Sequence, residues 1–358
     1  MTASTQHTTK RVLSALLSAL LLGAGPVALA ANFPERIASE ERSAKVGLGV
    51  EKLALLKRLP GPGAEKVSAE LLDRLHGRLP GVFTSDRFQR EVTEERTSLV
   101  SDEGWYMNVY GDGTSVRYRN YPYLEKTSDL ARPLEERMSK EELEERGRAF
   151  IAEHLAGLVP LGPGEELVPY FTEVEVTGGG AAREDAPMDP ELVHASTIVF
   201  ARSVNGLPVV GGGSKIAVIF ANDGEAVGFD YDWPSYAASR RAQKVLPVDK
   251  IRGRGNAYSP FKSEDPEVKV LHFECGYVDL GARKRDPAAV VQGGCMRHAS
   301  RKSIMDHEAH AKDERSGHVV TARLDYLPAG ERVEPDAVWE KAPKRSDVEE
   351  PGPVEVKE

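Results

Sequence analysis

Apolar and polar residues alternate most regularly between residues 195 and 233, where the pattern predicts consecutive antiparallel strands. The run Ile198–Ala201 is rich in β-forming residues, and the Asn205-Gly206 pair behind it suits the positive φ angles of a tight turn. A second apolar run covers Lys215–Phe220, and an alternating run covers Val227–Trp233. We therefore predict three strands joined by short connections.

A helix is predicted in front of these strands, over Lys140–Ala156. Ser139 and Glu142 fit the S-x-x-E capping box at its start, and apolar residues follow at helical spacing. Between this helix and the three strands, Leu167–Val176 alternates as a strand does. Residues 139–233 are thus interpreted as one helix followed by a four-stranded meander.

The flanking segments repeat these patterns. Residues 64–79 have helical apolar spacing, and residues 98–123 predict a β-hairpin rich in aromatic residues. Such a hairpin is typical either of ordinary cross-strand packing or of a sugar- or peptide-binding face, and both interpretations stay open. Alternation over 268–280, 288–296 and 317–327 predicts a second antiparallel sheet.

The order of turns and strands in the meander resembles the PepSY and fungalysin/thermolysin-propeptide families. The matching positions are Phe200, Asn205-Gly206, Pro208-Val209, Gly211, Ile216-Ala217-Val218, Asp223-Gly224 and Val227. The resemblance implies an α+β fold in which a helix packs on an antiparallel meander sheet, with the helix and hairpin of residues 64–123 as a diverged second copy. It also implies a noncatalytic function, such as masking or chaperoning a secreted peptidase.

Five segments are expected along the chain. They are a signal peptide over 1–30, an N-terminal, partly helical segment with a β-hairpin over 31–135, the PepSY-like helix and four-stranded sheet over 136–240, a β-rich module with a disulfide over 241–340, and a disordered tail over 341–358.

The N-terminal segment has the pattern of a secretory signal peptide. Lys10-Arg11 precedes the short apolar run Val12–Leu22, and Ala28-Leu29-Ala30 forms an A-x-A site that places cleavage between Ala30 and Ala31. Loss of the first 30 residues would change the net charge from −9 to −11, because two cationic residues and no acidic ones are removed. An acidic mature protein argues against nucleic acid as a partner. We expect a periplasmic or extracellular protein without a membrane span in its mature part.

The mature chain has two cysteines, Cys275 and Cys295, in the two predicted strands of the C-terminal half. Exported proteins usually pair their cysteines because the compartment is oxidising. Metal ligation or a catalytic thiol is the alternative, and no C-x-x-C spacing supports it. We predict a disulfide.

Candidate metal ligands are His298, His307 and His310. The segment His307-Glu308-Ala309-His310 is one residue shorter than the H-E-x-x-H motif of zinc peptidases, and on a helix this rotates the second histidine by roughly 100°. An i, i+3 pair together with His298 still forms a conceivable metal site, while a solvated polar helix or loop is the alternative. We therefore assign no metal and no cofactor.

Two other sequence features are candidates for a binding or catalytic site. Gly211-Gly212-Gly213-Ser214-Lys215 joins two predicted strands and lacks the spacing of a phosphate-binding loop, so we interpret it as a turn. Three carboxylates beside strand aromatics, Asp230, Asp232 and Asp279, are candidates for a pair that the sequence alone does not identify.

Three functional hypotheses follow from these observations. The favoured one is a noncatalytic binding or modulator protein whose partner is an exported peptidase or another envelope protein. The second is a metal-assisted hydrolase with a histidine site in the C-terminal half, and the third is a structural or surface-adhesion protein.

Overall fold

The computed structural model describes residues 35–36, 48–76, 78–79, 88–177, 190–255, 259, 261, 265–281, 290–304 and 318–332. Strands dominate these ranges. They are β1 Glu35–Arg36, β2 Lys52–Arg58, β3 Phe88–Val92, β4 Arg96–Ser101, β5 Tyr106–Tyr110, β6 Ser115–Arg119, β7 Arg132–Pro133, β8 Glu165–Thr177, β9 Leu192–Val204, β10 Leu207–Val210, β11 Lys215–Ala221, β12 Ala226–Asp232, β13 Tyr236–Lys244, β14 Val268–Val278, β15 Val290–Ile304 and β16 His318–Pro328.

Four α-helices accompany the strands in the described residues. They are α1 Ala64–Leu75, α2 Tyr121–Lys126, α3 Lys140–Phe150 and α4 Val248–Gly253. A π-helical turn, Ile151–Leu155, extends α3, and short 3-10 helices cover Ser128–Leu130 and Leu134–Glu136. None of the helices in these ranges is long and apolar enough to cross a bilayer.

Within the described ranges, all sixteen strands belong to one mixed sheet. Its main path has the order β13-β2-β15-β14-β10-β9-β11-β12-β6-β5-β4-β3, with β16 beside β15, β7 and β8 beside β9, and β1 beside β8. Most neighbours are antiparallel, while β10 and β14 pair in parallel, Val209 opposite Tyr277. This parallel pair connects the C-terminal strands to the rest of the sheet.

The predicted fold class, α+β with helices packed on small PepSY-like meander units, is wrong. The meander β8-β9-β11-β12 is part of a larger sheet. At one edge β12 pairs with β6 over five residues. At the other side β9 pairs with β10, and β10 pairs with β14. An isolated small meander would leave two rows of unpaired backbone groups, whereas pairing with neighbouring strands satisfies them. The sequence pattern specifies each hairpin but not which hairpin edges join.

One face of the central strands is covered by α1 and α3. The alternating residues on this face are apolar, as in Val116 and Tyr118 of β6 and Ile216 and Val218 of β11, and they pack with both helices in one core. Gly147 allows α3 to approach closely, since a Cβ there would lie 2.7 Å from the Phe200 ring. The side of β6, β11 and β12 that faces away from α1 and α3 is called the helix-free face below.

The C-terminal strands form a second core with β2, α4 and the ends of β9 and β10. Cys275 of β14 lies directly opposite Cys295 of β15, and a disulfide joins them with the Cα atoms 3.9 Å apart. The predicted disulfide is therefore present. Its strands form the antiparallel group β14-β15-β16 that the alternation predicts.

Several local predictions are confirmed by the structure. Ser139 caps α3, its hydroxyl accepting a hydrogen bond from the Glu142 amide at 3.1 Å. The Asn205-Gly206 turn has positive φ angles of 50° and 80°. Within the segment 31–135, Ala64–Leu75 is helical as predicted, whereas Lys52–Arg58 forms strand β2, which pairs with β13 and β15.

Candidate binding cleft on the helix-free face of the sheet

Three neighbouring strands, β6, β11 and β12, carry charged side chains on the helix-free face. Lys215 of β11 lies opposite Asp232 of β12. Asp230, two residues before Asp232, lies opposite Arg117 of β6. Because successive side chains of a strand point to opposite faces, the apolar residues between these charges enter the core while the charges stay on the helix-free face.

A cleft of about 450 Å³ opens on this face. Ala217 is the outward-facing residue that follows Lys215 on β11. Its side chain is shorter than those of the outward-facing residues before and after it, and this difference leaves a depression. Aromatic and small apolar residues contribute the rest of the surface. The lining comprises Ser115, Val116, Arg117, Tyr170, Phe171, Val199, Gly211, Gly212, Lys215, Ala217, Asp230, Tyr231, Asp232, Leu280 and Gly281.

The Lys215 ammonium group is held at one end of the cleft. Its Nζ donates hydrogen bonds to the carbonyl oxygens of Val209 at 2.6 Å and Gly213 at 3.2 Å, and it lies 5.1 Å from the centre of the Tyr170 ring. Burial lowers the pKa of Lys215 to about 8, although nearby carboxylates, chiefly Glu274 and Asp279, oppose the shift. Lys215 thus remains mostly protonated at neutral pH and acts as a hydrogen-bond donor.

The Gly211–Gly213 loop forms the wall of the cleft behind Lys215, and its backbone packs against Asp279 at the end of β14. Gly211 has a φ angle of 100°, and a Cβ at this position would lie 2.3 Å from the Asp279 carbonyl oxygen. A Cβ at Gly213 would meet the Asp279 carboxylate at a similar distance of 2.3 Å. The glycines are therefore required both for the turn and for the close approach of this loop to the end of β14.

Asp279 is 1% exposed and fixes this wall from behind. Its carboxylate accepts hydrogen bonds from the Gly281 amide at 3.0 Å and from the Tyr236 hydroxyl, and its backbone carbonyl accepts from the Gly213 amide at 2.9 Å. The cleft wall therefore has a defined position without a ligand.

A second hydrogen-bonded group supports Tyr170. The Tyr170 hydroxyl donates to Glu274 Oε2 at 2.8 Å, and His272 Nε2 lies 3.3 Å from the same oxygen. Burial alone would raise the pKa of Glu274, but the hydrogen bonds from His272 and Tyr170 outweigh burial and lower it. Glu274 is therefore ionised at neutral pH, and it connects β14 to β8 across the sheet.

The opposite side of the cleft carries an arginine–aspartate cluster. Arg119 binds Asp230 through two hydrogen bonds of 2.8 and 2.7 Å, while Arg117 Nε lies 3.3 Å from Asp230 Oδ1. The paired geometry holds these three side chains in place. Chemically, the cleft combines hydrogen-bonded cations and anions with an apolar surface.

The structure places the three candidate carboxylates in one region. Asp230 and Asp232 line the cleft, and Asp279 lies behind its glycine wall. They do not form a carboxylate pair by themselves, because Asp230 is bound to Arg119 and Asp279 to Tyr236. The Gly211–Gly213 loop joins two strands, as predicted.

Of the three metal candidates, the structure describes only His298. His298 lies on β15, opposite His272 of β14. His307 and His310, and the predicted cleavage site Ala30–Ala31, lie outside the described residues. Across the described ranges, no group of three or more His, Cys, Asp or Glu side chains is placed to hold a metal ion.

Sequence reasoning missed Arg117, Arg119, Tyr170 and the side-chain role of Lys215. The available signal was charge on the same face of three predicted strands: two arginines in the run S-V-R-Y-R, one lysine in K-I-A-V and two aspartates in D-Y-D. The aromatic hairpin residues divide between two environments: Trp105 and Tyr118 are buried in the core, whereas Tyr106 and Tyr121 form a partly exposed pair 6.0 Å apart.

No protein-family model and no curated protein matches the sequence. A solved structure that is similar to this one is the crystal structure of an uncharacterized protein from Eubacterium rectale ATCC 33656. The two share 10% sequence identity with a TM-score of 0.49, over 79% of this chain and 87% of that chain. A likeness at this level carries no argument about function, and the site has to be interpreted from its own residues.

Proposed function

We propose that this chain is a noncatalytic binding protein and that the cleft on the helix-free face is its binding site. The observation that carries the proposal is a cleft of about 450 Å³ whose lining combines apolar side chains with charged side chains held by hydrogen bonds. Ligand pockets typically have volumes of about 300–1,000 Å³, apolar linings and a few convergent polar groups.

The state of Lys215 favours binding over covalent chemistry. A lysine nucleophile requires an unprotonated amine. The Lys215 ammonium donates to the backbone carbonyls of Val209 and Gly213, so the nitrogen that would have to attack is engaged in the wall of the cleft. It therefore holds the wall of the cleft and contributes a fixed positive charge.

The proposal includes an exported location, in the periplasm or outside the cell. The Cys275–Cys295 disulfide supports it, because such bonds persist in oxidising compartments. The partner we propose is an exported peptidase or another envelope protein, which this protein modulates by binding. The signal-peptide pattern of the sequence agrees with this location.

Filling the cleft tests the proposal. Ala217→Trp places a large ring over its floor, and Ala238→Trp adds the same ring at an exposed position of β13. A panel of small molecules, short peptides and secreted peptidases would be tested for a ligand-induced rise in Tm. We expect ligands that stabilise the wild type and Ala238→Trp to leave Ala217→Trp unchanged.

The same variants test modulation. A secreted peptidase whose turnover changes on addition of the wild-type protein should respond equally to Ala238→Trp and much less to Ala217→Trp. The proposal is contradicted if every ligand and peptidase that responds to the wild type responds equally to both variants, or if none responds to the wild type.

A further inference from the structure

Arg119 neutralises most of the negative charge of Asp230, the carboxylate beside Arg117. The two hydrogen bonds from Arg119 to Asp230, 2.8 and 2.7 Å long, use both carboxylate oxygens. Arg117 reaches that carboxylate through Nε alone, at 3.3 Å. Two parallel bonds from one guanidinium are stronger and more directional than a single longer one. Glu173, the other carboxylate on this side, also interacts with Arg119.

Arg117 and Arg119 share the Asp230 carboxylate, so two positive charges face one negative charge there. The Arg117 side chain lines the cleft and is 20% exposed. In the part of the chain that the structure describes, its hydrogen bond is made by Nε, and neither terminal nitrogen, Nη1 or Nη2, has a protein partner. Two parallel N–H donors facing a cleft match the geometry of a planar anion such as a carboxylate.

The other end of the cleft is balanced. Lys215 and Asp232 lie opposite each other on β11 and β12, so their charges offset one another. The Lys215 ammonium also has two backbone acceptors. An anionic group is thus attracted to the Arg117 end. Asp230, which Arg119 binds through both carboxylate oxygens, lies between Arg117 and Ala217. From Ala217 the surface continues to Val199 and Phe171, and this part of it is apolar.

We infer that the cleft selects ligands with one carboxylate on an apolar body. Arg117 binds the carboxylate through Nη1 and Nη2, and the apolar body lies on Ala217, Val199 and Phe171. This inference rests on the proposed function, because it names the ligand class of the same cleft. The carboxylate belongs either to a free organic acid or to the C-terminus of a polypeptide, and both sources share this chemistry.

Two matched pairs of probes test the inference by isothermal titration calorimetry. The first pair is 1-naphthylacetate and 1-naphthylacetamide, which have the same shape and differ in charge. The second is acetyl-Ala-Ala-Phe with a free or an amidated C-terminus. We expect the charged member of at least one pair to bind about tenfold more tightly than its amide, which is the scale of one charge-assisted hydrogen-bonded contact. The pair that discriminates identifies the source.

Variants assign the effect to Arg117. Arg117→Gln should remove the tenfold preference for the acid over its amide, and Arg117→Lys should keep only part of it because a lysine does not form two parallel bonds. Arg96→Gln removes the same charge from β4, outside the cleft lining, and should have no effect. Circular dichroism of each variant verifies folding.

Failure of this inference differs from failure of the proposed function. Equal binding of acids and amides, a preference that survives Arg117→Gln, or no binding of any of the four probes would overturn the carboxylate assignment. In each of these cases the proposed function stands if any ligand still distinguishes Ala217→Trp from Ala238→Trp. It falls if no ligand does.

Discussion

Lys215 illustrates, at the scale of the residue, how burial and hydrogen bonding act on one charge. Its pKa in the folded protein is about 8, below the ordinary value of 10.5. Between these two pH values the unfolded chain binds more protons than the folded one, so the free energy of unfolding rises with pH. Below pH 8 both states are protonated, and Lys215 adds no pH dependence.

Lys215→Met removes this contribution. We expect the difference in unfolding free energy, wild type minus Lys215→Met, to increase from pH 8 towards pH 10.5 and to be flat between pH 6 and pH 7.5. Urea denaturation of both proteins over this range measures it, and the subtraction cancels all groups that titrate alike in the two proteins. A constant difference across pH 8–10.5 would contradict a lowered pKa.

The role of Lys215 could not be predicted from its own neighbourhood in the chain. Its strand was predicted correctly, but its contacts come from the turn before it, from Tyr170 on β8 and from the electrostatic influence of Glu274 on β14. These partners lie 45 and 59 positions away and meet only when the sheet is assembled. Alternation therefore predicts the face on which Lys215 lies and not its pKa.

Helix α3 is the element whose start the sequence predicts best. Ser139 accepts from the Glu142 amide, one of the backbone donors that a helix start leaves unpaired. Ser139→Ala should lower the free energy of unfolding by about 1 kcal/mol, and Ser139→Asp should keep most of it because aspartate caps equally well. Chemical denaturation of the three proteins measures the effect, and equal losses in both variants would argue against capping.

Strands β2 and β13 show why other elements escaped prediction. β2 has the sequence K-L-A-L-L-K-R, in which the consecutive leucines fit helical and strand periods equally. β13 lies at the end of the sheet order and is mostly polar, with the sequence Y-A-A-S-R-R-A-Q-K, so it has no apolar alternation. Strand β13 is held by backbone hydrogen bonds to β2, and the amino-acid composition of a segment does not reveal such bonds.

For the whole molecule, the single sheet joins two cores, a relation that alternation along the sequence does not decide. The disulfide belongs to the second core, whereas Trp105 and Trp233 are buried in the first. Replacing both cysteines by serine should lower stability by about 3 kcal/mol, the chain-entropy cost for a loop of about 20 residues. Because the sheet is continuous, we expect this loss to appear in the tryptophan fluorescence of the distant core.

The measurement uses a Trp339→Phe background, so that fluorescence reports on Trp105 and Trp233. Denaturation midpoints of the Cys275→Ser/Cys295→Ser variant and its parent are compared by fluorescence and by circular dichroism. A fluorescence midpoint that stays unchanged while the circular dichroism transition splits would show that the two cores unfold independently.

The glycine wall of the cleft has a consequence for how this protein could diversify. In most folds, loops vary and carry specificity, while strands provide an invariant frame. Here Gly211 and Gly213 accept no side chain, because a Cβ at either position would lie 2.3 Å from an atom of Asp279. The division of roles is therefore reversed: a new ligand preference would have to arise by substitution on the strands, at positions such as Arg117 and Ala217, while the loop stays constant.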